Sequence, residues 1–304
     1  MKKNRPVDSL LENSYFLPLF GFIAALLTYT CMYAFRKPLT VGTFEGLTWW
    51  GIDYKIWVVS AQVIGYTLSK FIGIKVVSEI TPTKRAIGIL GLIIFSGLAL
   101  LGFAVVPSPY NLFFVFLNGL PLGMVFGLVF SYLEGRQTTE LMAVGLSITQ
   151  IFSTGIVKSV GKWTMLEFGI SEFWMPVVTG ALFMIPLFLF VWMLQQLPPP
   201  SEKDIQLRTK RAPMNGAARI KFLTTFAPGL VLLVLVYSML TMFRDFRDNF
   251  SANIWNALGY EDNALIFTQT EIPIFIIVLA IVGFLVIIKD NFLAFVINHL
   301  LIIG

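Results

Sequence analysis

Apolar residues in this chain gather into nine runs, near residues 16–35, 55–77, 86–106, 112–133, 142–163, 173–196, 222–243, 264–288 and 291–304, with short polar stretches between them. A hydrocarbon core of roughly 30 Å takes about 20 apolar residues of helix, so most of these runs are long enough to span it. The alternating ten-residue segments of a transmembrane barrel do not occur. The pattern therefore predicts an all-α integral membrane protein, a bundle of about nine helices. The last run, from Phe292, stops after thirteen residues without a charged flank, and we expect the chain to lack the end of that helix and whatever follows it.

After six runs the pattern breaks at Leu197-Pro-Pro-Pro200, followed by a polar stretch of about twenty residues that carries Arg208, Lys210, Arg211, Arg219 and Lys221. Polyproline stiffens such a segment. The predicted organisation is a six-helix half over 1–197, a linker over 198–221 and an incomplete second half over 222–304. A repeat supports the two halves. Tyr29-Thr-Cys-Met-Tyr-Ala-Phe-Arg36 closes the first run, and Tyr237-Ser-Met-Leu-Thr-Met-Phe-Arg244 closes the seventh, 208 residues later. Without gaps, the octets share Tyr at position one, a small hydroxyl residue at two, and Phe-Arg at seven and eight.

Composition agrees with the pattern. The chain is 57% hydrophobic and 13% charged, with a mean hydropathy of +0.80, more apolar surface than a soluble domain needs. A pI near 9.3 would point to nucleic acid in a soluble chain; here topology accounts for it, and no nucleic-acid partner is expected. With the N-terminus inside, thirteen Lys and Arg residues fall on the cytoplasmic side, among them Lys2, Lys3, Arg5 and Lys289, against six on the other. That imbalance is the positive-inside signature. Met1-Lys-Lys-Asn-Arg5 resembles the start of a signal peptide, but the next run is too long and ends in no cleavage motif, so the first helix is expected to stay. One cysteine, Cys31, and one histidine, His299, leave no internal disulfide, His-rich metal site or histidine relay.

The candidate chemistry is cationic. Arg36 and Arg244, at equivalent places of a repeat, could clamp an anion from two sides, because guanidinium groups offer forked donors and stay charged. The plainer explanation is that both snorkel to the interface. Tyr29 and Tyr237 lie seven residues before them, nearly two turns and about 10 Å along each helix, on roughly the same face. Lys70 and Lys158 are further cations inside or near the ends of helices. Glu271, about a third of the way into helix 8, would balance Arg244 or carry a proton; a helix-start glutamate favoured by the dipole is the alternative. Gly119, Gly123 and Gly127 form a small-residue face that lets another helix approach. Trp49-Trp50 suit an interfacial belt. No phosphate-binding Gly-x-x-x-x-Gly-Lys-Ser/Thr loop is present, so any transport would draw on a gradient or exchange.

Six helices, a basic central loop and a second half opened by a related helix resemble the major facilitator superfamily. Within it, Tyr33-Ala-Phe-Arg-Lys37, Tyr66-Thr-Leu-Ser-Lys-Phe-Ile72, the helix 4 glycines and Phe243-Arg-Asp-Phe-Arg-Asp-Asn-Phe-Ser251 are similar to motifs of the organophosphate:phosphate antiporters. The resemblance implies a secondary active transporter that moves a small anionic solute, an organophosphate or related, by alternating access, with inorganic phosphate as a counter-substrate. It implies Arg36 and Arg244 as the phosphate-binding pair and Lys70 as an auxiliary cation; from their places in the helices we expect Tyr29, Tyr33, Tyr237 and Lys158 beside them and Glu271 as the coupling or charge-balancing group. It further implies a monomer in a bacterial inner membrane, multi-pass, without cofactor. The sequence departs from the family where a substrate-site histidine gives way to Ser153-Thr-Gly155, at Glu79, and at Asn249, which stands for an aspartate. The alternative function is a transporter-like receptor that senses the anion. A membrane-embedded transferase would need acidic clusters for metal or acid–base work, and Asp245 with Asp248 is the sole candidate, each beside an arginine expected to pair with it.

The topology is directly testable. Single cysteines placed in 198–221 should react with an impermeant thiol reagent only after the cells are opened, and a cysteine at Trp50 or at Asp262 should react in intact cells. Labelling of the linker from outside would reverse the orientation.

Overall fold

The computed structural model describes residues 13, 15–207, 216–288 and 290–303. The N-terminal Lys2, Lys3 and Arg5, the linker residues Arg208, Lys210 and Arg211, and Lys289 lie outside the described residues. Six long helices come first: α1 Phe16–Tyr33, α2 Tyr54–Glu79, α3 Arg85–Val105, α4 Leu112–Leu133, α5 Thr139–Phe168 and α6 Met175–Gln196. A short α7, Glu202–Leu207, occupies the linker, and α8, Gly216–Asn249, α9, Ser251–Ala257, α10, Ile266–Ile287, and α11, Asn291–Ile303, follow. Among the described residues, eight helices are long and apolar enough to cross a membrane, and α11 is a shorter apolar helix. The chain is an all-α, multi-pass membrane protein.

Local chemistry sets the helix ends. Asp53 caps α2, its carboxylate accepting from the Lys55 amide at 2.9 Å. Gly169 ends α5 with a φ of +62°, a left-handed conformation that costs glycine little. Between α1 and α2 the loop folds back as a two-residue hairpin, Thr48–Trp49 against Ile52–Asp53. Trp50 and Gly51 supply its positive-φ turn. Trp49 stacks on Trp50 at 4.6 Å and meets Trp57 at 4.9 Å. Pro38, Leu39, Thr40, Val41 and Phe44 are buried, so the first part of this loop belongs to the core, and only its hairpin tip, with Trp50 exposed, suits an interfacial belt.

The helices run up and down, which gives the bundle two ends. One, the linker end, holds the α2–α3 and α4–α5 turns and the close of α6; the other, the loop end, holds the α1–α2 loop, the α5–α6 turn and α9. α2 and α4 approach most closely. A Cβ added at Gly65 would lie 2.2 Å from the Phe116 carbonyl oxygen, and one at Gly119 would lie 2.3 Å from that of Gln62. Backbone thus meets backbone, and the glycine face of helix 4 is a packing seam for α2. α5 and α10 use the same device at Gly155, where a Cβ would meet Glu271 Cβ at 2.9 Å. Ser153-Thr-Gly155 therefore sits at a helix crossing.

Three expectations need correction. The seventh run does not close at Arg244: α8 continues to Asn249 and α9 follows, so 245–263 is partly helical. Pro38 makes the difference, because it lacks an amide donor and disfavours helix at the residue before it, whereas nothing in Asp245-Phe-Arg-Asp-Asn249 interrupts a helix. The linker is also shorter than 198–221, since α8 begins at Gly216. Its start is anchored rather than merely stiff. Arg136 donates to the Pro198 carbonyl, and Asp204 accepts from the Gln137 amide and from Ser201, both at 2.9 Å or less.

Gly119→Ala should destabilise the purified protein by about 1–3 kcal/mol, the usual cost of overpacking, because a backbone carbonyl cannot move aside. Gly91→Ala, with nothing within 4 Å of the added carbon, should be neutral. Paired unfolding curves in detergent check both; equal curves would mean that α2 and α4 do not touch at this seam.

Candidate functional site

α1 ends at Tyr33, and the next four residues turn through the middle of the bundle. Two adjacent cations on this turn go to different places. Arg36 is half-buried and reaches into a cavity of about 940 Å³, its guanidinium carbon 3.9 Å from the centre of the Tyr66 ring. It makes no ion pair and donates no side-chain hydrogen bond to any described residue, and its Nε is buried without a partner. Lys37 is 4% exposed and is ion-paired with Asp248 of α8.

Six of the predicted residues line the cavity: Tyr29, Tyr33, Arg36, Lys70, Tyr237 and Arg244. Lys70 lies one turn beyond Tyr66 and places its ammonium 5.1 Å from the same ring. Tyr29 and Tyr33 meet edge to face at 5.2 Å, and Tyr29 also meets Phe126 at 5.7 Å. α8 contributes Tyr237, Thr241, Arg244 and Asp245, spaced along one helical face. Arg244 is exposed and bonded to its neighbour Asp245 at 3.0 Å. Segments from before and after the linker thus share one cavity. Its walls carry five basic side chains, Arg36, Lys37, Lys70, Arg85 and Arg244, and two acidic ones, Glu134 and Asp245. Lining residues Ser78, Arg85, Ser131 and Glu134 carry it to the linker end.

At the loop end the cavity stops against ion pairs. Asp248 accepts from Lys37 through Oδ2 and from Lys158 through Oδ1 at 2.7 Å. Lys158 also reaches the Asp248 carbonyl and the Ser251 hydroxyl. Lys55, 1% exposed, donates to the Thr40 carbonyl and to Asn253, and Lys162 donates to Asn256 and the Tyr260 carbonyl. Four lysines from before the linker therefore bond the segment 248–260. Beside them, Ala252 is buried against Val41, Met175, Ile266 and Phe267. Lys37, just past the end of α1, is pushed down to about 8, by burial first, with Arg36 and Lys158 adding to the shift and Asp248 opposing it.

Two sequence assignments change here. Lys158 is not among the cavity-lining residues; α5 runs on to Phe168 and keeps it 1% exposed beside Asp248, so it neither snorkels nor faces the cavity. Glu271 pairs with Arg247 at 3.0 Å, not with Arg244, because the extra helical turn after Arg244 brings Arg247 towards α10. Asp248 pairs with lysines from distant helices rather than with the neighbouring Arg247. The sequence showed Asp248 and Lys37 but not that they pair. The available signal was the four-residue step from Arg244 to Asp248, one turn along one face, hidden by ending that helix at 243.

Asp248→Asn should strip two buried lysines of their countercharge and cost about 3–5 kcal/mol. Asp245→Asn, in a half-exposed pair, should cost about 0–1 kcal/mol. Unfolding of both variants in detergent measures the difference; similar losses would remove Asp248 from its central place.

Comparison with known proteins adds one result. No curated protein and no solved structure matches the chain. The profile of a family described as "Family of unknown function (DUF5690)" matches residues 38–304; the match begins just past Arg36 and Lys37 and takes in Lys70, Asp248 and the second octet. The chain belongs to this family of unknown function.

Proposed function

We propose that the protein is a secondary active transporter of the major facilitator type, carrying a small anionic solute, an organophosphate or a related compound, by alternating access. The observation that carries this reading is the shared cavity, where Arg36 and Arg244 stand on walls from opposite sides of the linker amid a surplus of basic groups. An unpaired guanidinium with a buried, unsatisfied Nε is costly without an acceptor. A phosphate or carboxylate supplies one with matching forked geometry. Tyr29, Tyr33 and Tyr237 add hydroxyl groups and ring faces for the body of the solute, and inorganic phosphate is the simplest counter-substrate.

The two ends of the bundle give the reading its mechanism. In this state the cavity runs to the linker end, and the Lys37–Asp248–Lys158 bridge with its flanking lysines closes the loop end. Alternating access needs these contacts to break as the linker end closes. An anion that draws Arg36 towards Arg244 acts one peptide away from Lys37, so cavity and closure are mechanically adjacent. With the N-terminus inside, the cavity faces the cytoplasm of a bacterial inner-membrane protein. Glu271, bonded to Arg247 beside the closure, is placed to exchange partners or carry a proton when α8 shifts against α10.

The test is exchange by the full-length protein in phosphate-loaded proteoliposomes. Labelled inorganic phosphate should enter against internal phosphate. Arg36→Lys and Arg244→Lys should each weaken phosphate binding about tenfold or more, as loss of charge-assisted hydrogen bonds implies. Binding without uptake would favour the receptor. Wild-type behaviour of both variants would make the arginines interfacial anchors.

A further inference from the structure

The Arg36–Lys37 turn carries a cavity residue and a closure residue on successive positions; both amides bond back to the Tyr33 carbonyl, at 3.0 and 2.8 Å, but the carbonyls of residues 35 and 36 meet no backbone donor among the described residues. Its buried carbonyls must find donors elsewhere, because an unsatisfied carbonyl costs much of a hydrogen bond. Two side chains supply them. Asn118 of α4, fully buried, donates through Nδ2 to the Phe35 carbonyl at 2.8 Å and to Ser96 Oγ at 2.6 Å. Gln62 of α2, 5% exposed, donates through Nε2 to the Arg36 carbonyl at 3.1 Å and to Asn118 Oδ1 at 2.8 Å. The amides bond each other, so each fixes the other's orientation. Successive peptide groups of the turn are thus tied to α2, and to α4 with α3 behind it.

We infer that Gln62 and Asn118 are positioning residues, which set Arg36 in the cavity and Lys37 on Asp248 by holding the carbonyls of residues 35 and 36. The Gln62 tie is the more pointed. Its acceptor belongs to Arg36 itself, and Tyr66, on which the guanidinium lies, is one turn further along the same helix. The peptide whose carbonyl Gln62 holds also carries the amide of Lys37, which donates to the Tyr33 carbonyl at 2.8 Å, so losing the Gln62 bond leaves the peptide that joins the two cations held on one side only. Packing alone would ask for apolar side chains here; two interlocked amides instead fix direction as well as volume. The Arg36 half of this inference rests on the anion-cavity reading, and the Lys37 half does not.

The experiment reads the closure directly, in the full-length chain in native membranes. Cys31→Ser removes the native thiol, and Ala252→Cys places a reporter at a position 2% exposed within the loop-end closure. Maleimide labelling should be slow in this background and about tenfold faster with Gln62→Met, the factor expected when one hydrogen bond of ordinary net strength no longer resists local opening. Asn118→Leu should act in the same direction. If that variant fails to accumulate, Gln62→Met decides alone, since Asn118 keeps its own bond to the Phe35 carbonyl. Ser96→Ala, which loses a network bond but leaves both turn carbonyls held, should label like the background. Unchanged labelling in Gln62→Met overturns the inference, and so does an equal acceleration in Ser96→Ala, which would mean general loosening of the core. Inorganic phosphate is the probe for the cavity. If it leaves labelling of the background protein unaltered, that counts against the anion reading, while the comparison between variants still decides the role of Gln62.

Discussion

A single carboxylate, Asp248, buried between Lys37 and Lys158, joins the polypeptide before the linker to the polypeptide after it. Burying three charges is tolerable only when each is paired and further bonded, and here Ser251 and the Asp248 carbonyl complete the set around Lys158. Much follows from this constraint. Among the described residues, α8 has little of its apolar length covered by other helices, so its contacts with the first six helices concentrate at its last turn, where Asp248 sits. Lys55 and Lys162 extend the same seam with neutral acceptors. They add direction without adding charge to be neutralised.

The cavity is the complement of that seam. Where the two segments are not bonded they stand apart, and the space between them carries Arg36 and Lys70, which have no carboxylate partner among the described residues. Arg36 lies over the Tyr66 ring and Lys70 approaches it, so an aromatic ring, rather than a carboxylate, supports both cations in the cavity. A ring face attracts a cation less strongly than a buried carboxylate does. The cations are therefore supported without being neutralised, which suits an exchangeable anion. Lys37, one residue along, has the opposite arrangement: a firm carboxylate and little exposure. The contrast between neighbours is the clearest separation of roles in the molecule.

Much of the fold was legible in the sequence because a bilayer allows few solutions. Apolar runs of about 20 residues must be helices there, since every backbone group has to be satisfied within its segment. The helix order, the break after Leu197 and the close seam at Gly119, Gly123 and Gly127 all followed from run length, proline and small-residue spacing. The octet repeat also led to cavity residues: Tyr29, Arg36, Tyr237 and Arg244 line one space. Run length failed where it met polar residues. Arg244 to Asn249 read as loop because they are charged, but a helix can carry charges past the apolar zone when its face meets buried partners.

Partner choice was decided by the tertiary structure. Lys37 lies 211 positions from Asp248 and Lys158 lies 90, and nothing in the spacing of such residues states that they converge. Glu271 finding Arg247 rather than Arg244, and Lys158 leaving the cavity for the closure, both turn on one extra helical turn that rotates and advances every later side chain. Gln62 and Asn118 look, in sequence, like stray polar residues in apolar helices. Their task appears only when the carbonyls of a distant turn lie beside them. By itself the sequence determined which segments are helical, because that depends on local transfer of side chains and backbone into lipid. Which cation is free and which is paired depends on distances between segments, and those exist only in the folded chain.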